Sequence, residues 1–202
     1  MKINKKELDC NDENLIGINT SYIGKYLTTD LVDINTAAAK RIKILSNTQP
    51  SSAFSNQLGW QSHRKFMEEE CMKGILPFIG ECILDYINKT MDMSKFNSLN
   101  IISLWANVCP KYSYHRKHTH PDAIVSGAYY IQIPEPAARI IFTNPQHLFK
   151  NTMWSRKLGL PYYSIAPKEG MCLIFDSTTE HEVESNMAED ARISVSFNCQ
   201  IN

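Results

Sequence analysis

Histidine is scarce in this chain, six in 202 residues, and three of the six fall between Tyr114 and His120. His118-Thr119-His120 sets two imidazoles at i and i+2, on the same side of an extended segment. Two imidazoles so placed can share one metal ion, and imidazole suits Fe, Zn, Cu or Ni. An H-x-H pair alone is also what an ordinary surface loop can contain. His181 adds weight to the metal. It follows the apolar run Met171–Phe175 across a short polar turn, Asp176–Glu180, where a neighbouring strand could supply a third ligand. Arg192 lies eleven residues further on. Pointing into a β-rich interior, it would need an anion, because an unpaired buried charge costs several kcal/mol. A buried carboxylate of the protein would serve, as would the carboxylate of a bound small acid held in a bidentate fork. On the surface, Arg192 would instead answer Glu189 or Asp190.

The elements that must position these residues fall into two textures. Residues 1–20 are polar and read as frayed or as an edge strand. Leu31, Ile34, Ala38, Ile42 and Leu45 recur at a helical period, and residues 47–59 read as loop around Pro50. From Arg64 to about Met91 a second helical stripe carries Phe66, Met67, Cys71, Ile75, Ile79, Cys82, Ile83, Tyr86 and Ile87, with Pro77 expected to kink or split it. After Ser94 the pattern changes to short strands, expected near 100–108, 126–134, 140–143, 162–166, 171–176 and 192–198. A helical lead-in followed by many strands predicts an α+β protein built on a β-sandwich or barrel.

In the last of these strands Ile193, Val195 and Phe197 form one face, and Arg192, Ser194, Ser196 and Asn198 the other. Near residue 100, Ile102, Leu104, Ala106 and Val108 oppose Ser103, Trp105 and Asn107. The polar faces either meet water, as in ordinary alternation, or turn inward and line a ligand-filled interior.

Composition narrows the function classes. Lys+Arg and Asp+Glu are 21 each, so no net charge favours nucleic acid or an anionic membrane surface. The longest uncharged stretch, residues 96–110, is too short and polar to span a bilayer. The first residues lack the apolar core of an export signal, and six scattered cysteines show no C-x-x-C. Reduced thiols and a cytoplasmic location are the expectation, and a zinc ribbon is excluded by spacing.

The ordered set of motifs resembles the 2-oxoglutarate/Fe(II)-dependent dioxygenases, and within them a small group common in phage and bacterial genomes. Gly59-Trp60-Gln61-Ser62 matches an early GWQS element, and Trp105-Ala106-Asn107 a W-x-N strand. His118-Thr119-His120-Pro121 with Ser126-Gly127-Ala128-Tyr129-Tyr130 matches H-x-H-P…S-G-x-Y-Y, and residues 140–145 fit a short F-x-x-P strand and turn. Gly170 to Phe175, His181, Asn186 and residues 192–198 match G-x-x-x-x-F…H…N…R-I-S-x-S-F-N. About the first 50 residues show no match.

The resemblance implies a double-stranded β-helix, a jelly-roll, cupin-like barrel, with a helical lead-in over residues 1–95 and the core over residues 96–202. It implies Fe(II), 2-oxoglutarate and O2 as cofactor and cosubstrates. His118, His120 and His181 would hold the metal. Most relatives carry a carboxylate where this chain has His120, so a shifted frame, His120 with Asp122, is the alternative. The three-histidine set is preferred because H-x-H-P is the recurring element and its spacing to Tyr130 fits better. Arg192 would hold the far carboxylate of 2-oxoglutarate, assisted by Ser194 and Tyr130, with Asn107 also beside the cosubstrate. Trp105 and Ser126 would line the substrate pocket. Trp60 and Gln61 would be a structural plug or a substrate contact. His115 is expected in a loop or supporting a ligand, and His63 and His147 look incidental.

The implied reaction hydroxylates a C–H bond of a small-molecule or peptidyl substrate while 2-oxoglutarate becomes succinate and CO2. The setting would be a cytoplasm, including a host's if the chain is phage-encoded. No membrane or nucleic-acid partner is indicated. The rivals are a cupin-like three-histidine enzyme that does not use 2-oxoglutarate, and a non-catalytic β-barrel binding protein. Against a cupin, Val125 stands where a cupin Glu would be, and a cupin has no need of Arg192.

Overall fold

A computed structural model describes residues 21–52, 55–92, 98–144 and 162–201. The expectations for residues 1–20, for His147 and for the turn at Pro145 lie outside these. The described elements run β1 (Ile23–Leu27), α1 (Val32–Thr48), β2 (Asn56–Gln57), β3 (Trp60–Gln61), α2 (Leu76–Thr90), β4 (Leu99–Cys109), β5 (Tyr114–His118), β6 (Val125–Gln132), β7 (Ile140–Thr143), β8 (Tyr162–Ile165), β9 (Met171–Asp176), β10 (His181–Val183) and β11 (Arg192–Ile201). Short 3-10 turns at Phe66–Glu68 and Glu70–Met72 precede α2.

The two helical stripes form as their periodicity requires. α1 buries Asn35, Ala38, Ala39, Ile42 and Leu45. The second stripe is divided. Pro77 sits in the first turn of α2, where its missing N–H costs no helical bond, and the residues before it coil into 3-10 turns. Among the described residues no helix is long and apolar enough to cross a membrane.

The strands form two antiparallel sheets, ordered β1-β9-β6-β11-β4-β3 and β2-β5-β10-β7-β8. They face each other as a double-stranded β-helix without closing into a hydrogen-bonded barrel. All six strands expected from the sequence are present. Four others went unforeseen: β1, β3, β5 and β10. So did β2, which lies in the segment read as loop. None of the five exceeds five residues, and β5 (YHRKH) has no apolar alternation to betray it.

The larger sheet is buried on both faces. One face packs Leu104, Ala106, Tyr129, Ile174, Val195 and Phe197 against α1 and α2. The other turns toward the smaller sheet, where Ala128, Tyr130, Leu173 and Phe175 meet Ile140, Phe142 and Val183. Arg192, Ser194 and Asn198 on that inner face are 3%, 2% and 5% exposed, so the polar edge of the alternation points inward.

One close approach ties β1 to the larger sheet. Gly170 has φ +77°, and a Cβ there would lie 2.1 Å from the Thr28 carbonyl oxygen. Its own carbonyl accepts from Thr28 N at 3.1 Å, and its N–H donates to Tyr130 O at 2.9 Å. Gly170→Ala is therefore expected to cost about 2 kcal/mol and to lower Tm by roughly 4–8 °C, read by thermal denaturation.

Candidate metal centre

β5 and β10 are antiparallel neighbours in which His181 lies directly opposite His118. This pairing brings together histidines 63 residues apart in the chain. His120 follows two residues past the end of β5, and its N–H donates to Ser177 O at 2.8 Å. Ser177 is fixed in turn by donating through its N–H to Ile124 O, 3.0 Å, and through its hydroxyl to Ala123 O. The three imidazoles converge, with ring centroids 4.3 Å (118–181), 5.0 Å (118–120) and 5.2 Å (120–181) apart. One nitrogen from each lies within 4.8 Å of the other two, and no other group of described His, Cys, Asp or Glu side chains clusters in this way. Asp122 stays outside, exposed in the turn after His120.

The ring orientations suit metal binding. His118 Nδ1 lies 2.6 Å from Arg116 O, and His181 Nδ1 lies 2.9 Å from Thr179 O. A carbonyl only accepts, so each Nδ1 carries the proton and each Nε2 keeps its lone pair. Such a backbone contact commonly fixes the tautomer of a metal-ligating histidine. Burial holds all three rings neutral: it pulls His181 down to about 3 and His120 to about 4, and it lowers His118. The neighbouring His118 adds to the effect on both His120 and His181. Phe175, 4.7 Å from the His181 ring, and Trp105, 5.8 Å from His120, form apolar walls.

A narrow cavity of about 30 Å³ joins the three histidines to Arg192, Ser194 and Tyr130. Arg192 is 3% exposed, and Glu189, one of its two candidate surface partners, pairs with Lys111 instead. Its guanidinium lies over the Tyr130 ring, 5.1 Å from the centroid, and reaches Cys109 Sγ at 3.8 Å. His115, on β5 rather than in a loop, places Nε2 3.3 Å from the same sulfur. Burial and the Arg192 charge hold His115 neutral, and burial pushes the Cys109 thiol and the Tyr130 phenol up. The cation is therefore surrounded by neutral groups, and no carboxylate of the described residues bridges it. Its Nε and the Tyr130 hydroxyl are buried without hydrogen-bond partners.

Other expected residues are placed differently. Trp105 lines the cavity. Asn107 Nδ2 donates to Ser196 Oγ at 3.2 Å, and Ser126 donates to Asn198 Oδ1 at 2.8 Å; neither reaches the cavity wall. Trp60 and Gln61 form β3, paired with Val108 and Asn107 on β4. No sequence signal marks His115 and Cys109 as walls of the arginine, because the pairing of β5 with β2 and β10 that turns His115 inward is non-local.

Residues 103–198 match the family described as "Putative 2OG-Fe(II) oxygenase". The matching segment, just under half of the chain, holds all three clustered histidines and Arg192. The likeness to this family implies Fe(II), 2-oxoglutarate and O2, and both the neutral three-imidazole cluster and the buried Arg192, with no carboxylate beside it among the described residues, fit these groups. No curated protein matches the chain in sequence. Its fold is shared with a Pseudomonas putida prolyl-4-hydroxylase (TM-score 0.62, 14% identity, 91% of this chain and 94% of that one). It is shared too with SnoN, a non-heme alpha-ketoglutarate-dependent epimerase from nogalamycin biosynthesis (0.63, 14%, 88% and 77%). A third neighbour is HygX from Streptomyces hygroscopicus, solved with nickel and 2-oxoglutarate bound (0.60, 8%, 88% and 82%).

The depressed histidines set a pH dependence. Below an unfolded-state pKa of about 6.5, the unfolded chain binds protons that the folded rings refuse, so stability is full above that pH and falls as pH drops toward 4. Metal-free protein is expected to lose Tm steadily between pH 6.5 and 4, and His181→Gln to flatten that slope, read by thermal melts across pH.

Proposed function

We propose that this protein is a 2-oxoglutarate/Fe(II)-dependent oxygenase that hydroxylates a C–H bond of a small-molecule or peptidyl substrate. In the balanced reaction, substrate, 2-oxoglutarate and O2 give hydroxylated substrate, succinate and CO2. The buried Arg192 guanidinium, facing a narrow cavity whose described lining holds no carboxylate, is the observation that carries the reading.

Each part of the chain has a defined task. His118, His120 and His181 hold Fe(II) through neutral nitrogens, which leaves a dicationic centre that a dianionic cosubstrate offsets. The metal, when bound, supplies activation of dioxygen and decarboxylation of 2-oxoglutarate. Arg192 takes the far carboxylate in a charge-assisted fork, and the Tyr130 hydroxyl donates a further bond. Ser194, opposite Tyr130 on the neighbouring strand, lines the same slot. Phe175, Phe142 and Trp105 keep water from the reacting centre. At about 30 Å³ the slot admits about two water molecules, so a five-carbon diacid displaces its walls on entry. Residues 96–202 act as the catalytic core, on which α1 and α2 of the lead-in pack. The epimerase among the neighbours makes product analysis essential, since one fold serves more than one outcome.

Arg192→Met separates function from stability. Removing an unpaired buried cation is expected to raise the stability of the metal-free protein by about 1 kcal/mol or more. The same change is expected to weaken 2-oxoglutarate binding roughly a hundredfold with Fe(II) binding retained. Anaerobic titration of the Fe(II)·2-oxoglutarate absorption band and a thermal melt read the two effects, and an unchanged cosubstrate affinity would refute the clamp. His181→Ala is expected to abolish iron binding. His118→Ala is expected to lose iron and Asp122→Ala to keep it, measured as metal content after anaerobic reconstitution; the reverse pattern assigns the shifted frame. Succinate release across candidate substrates, with product identification, tests the reaction itself.

A further inference from the structure

A second cavity, of about 370 Å³, opens on the other side of the histidine cluster. That volume falls within the range of about 300–1,000 Å³ typical of small-molecule sites. His118, His120 and Trp105 border both cavities, so a molecule in the outer one reaches the metal centre without occupying the Arg192 slot. Arg64, Arg116 and Lys117 stand on the outer wall, and among the described residues no carboxylate does.

The three cations are not equivalent. Lys117 is partly committed, with Nζ 3.5 Å from Glu180 Oε1 and lying over the Tyr162 ring. The Arg64 charge is felt at His120, where it reinforces burial in keeping the imidazole neutral. The Arg116 side chain has no hydrogen-bond or ion-pair partner among the described residues; only its backbone is engaged, to Ser55 and His118. On the same wall Gln61 is 3% exposed, and its amide oxygen lacks a donor. The cavity thus offers positive charge at its rim, a buried acceptor wanting an N–H or O–H, and an indole face.

We propose that the outer cavity is the substrate subsite and that the substrate is a small organic anion, a carboxylate or a phosphate monoester. Its charge sits against Arg116 and Arg64, and an amine or hydroxyl donates to Gln61. The proposal rests on the oxygenase reading above. It assigns the two anions of the reaction to different arginines: the cosubstrate to buried Arg192, the substrate to the exposed pair.

The test uses full-length protein with Fe(II) and saturating 2-oxoglutarate, without oxygen. Three probes are titrated: 3-phenyllactate, phenyl phosphate and the neutral 3-phenyllactamide. Binding is followed by the shift of the Fe(II)·2-oxoglutarate band and, independently, by tryptophan fluorescence. At least one acid is expected to saturate at millimolar concentration, about tenfold or more tighter than the amide, and the tighter acid tells carboxylate from phosphate. Arg116→Gln is expected to weaken that acid about tenfold, leave the amide unmoved and retain the 2-oxoglutarate band. Equal binding of amide and acids, binding of neither acid, or an acid affinity unaltered by Arg116→Gln overturns the proposal. Absence of the band from the wild type counts against the oxygenase reading instead, and fluorescence still reports on the cavity.

Discussion

The architecture turns on a guanidinium with nowhere to discharge. Arg192 is buried between two sheets among a thiol, an imidazole and a phenol that burial itself keeps neutral. Folding tolerates that only because the rest of the larger sheet is well packed on its opposite face, where Ile193, Val195 and Phe197 sit in the core under the helices. The strand that carries the stabilising residues also carries the destabilising one, on alternate positions. Stability and ligand demand are therefore the two faces of β11, an instance of local cost held in place by surrounding structure.

The same division explains the histidines. Each ring is desolvated enough to lose its affinity for protons, and His118 and His181 are turned by backbone carbonyls so that one nitrogen is left uncommitted. A metal ion meets no competition from protons near neutrality, and the sheet register rather than any flexible loop sets the spacing of His118 and His181.

Much of this could be read from the residues. The H-x-H pair, His181 and Arg192 stood out through scarcity and spacing, and the long strands announced themselves by alternation. What could not be read was pairing across the chain. β5 and β10 are short, charged and histidine-bearing, so no periodicity marks them, yet their register unites the cluster. The inward turn of the polar faces was equally undecided, because alternation looks the same whether water or a second sheet covers it. Asn107 and Ser126 showed the limit of reasoning by face alone: both are on inner faces, and both spend their side chains on a neighbouring strand.

β11 follows every other described strand in the chain, yet it lies inside the larger sheet, between β4 and β6. A ribosome delivers β4 and β6 long before the strand that joins them. Until β11 arrives their facing edges are open, and most of the contacts it makes are distant in sequence, which slows folding and exposes edges to other chains. Arg192, at the start of β11, is thus placed only in the event that joins β4 to β6. The buried guanidinium and the three histidines therefore come to share one cavity only when β11 completes the larger sheet.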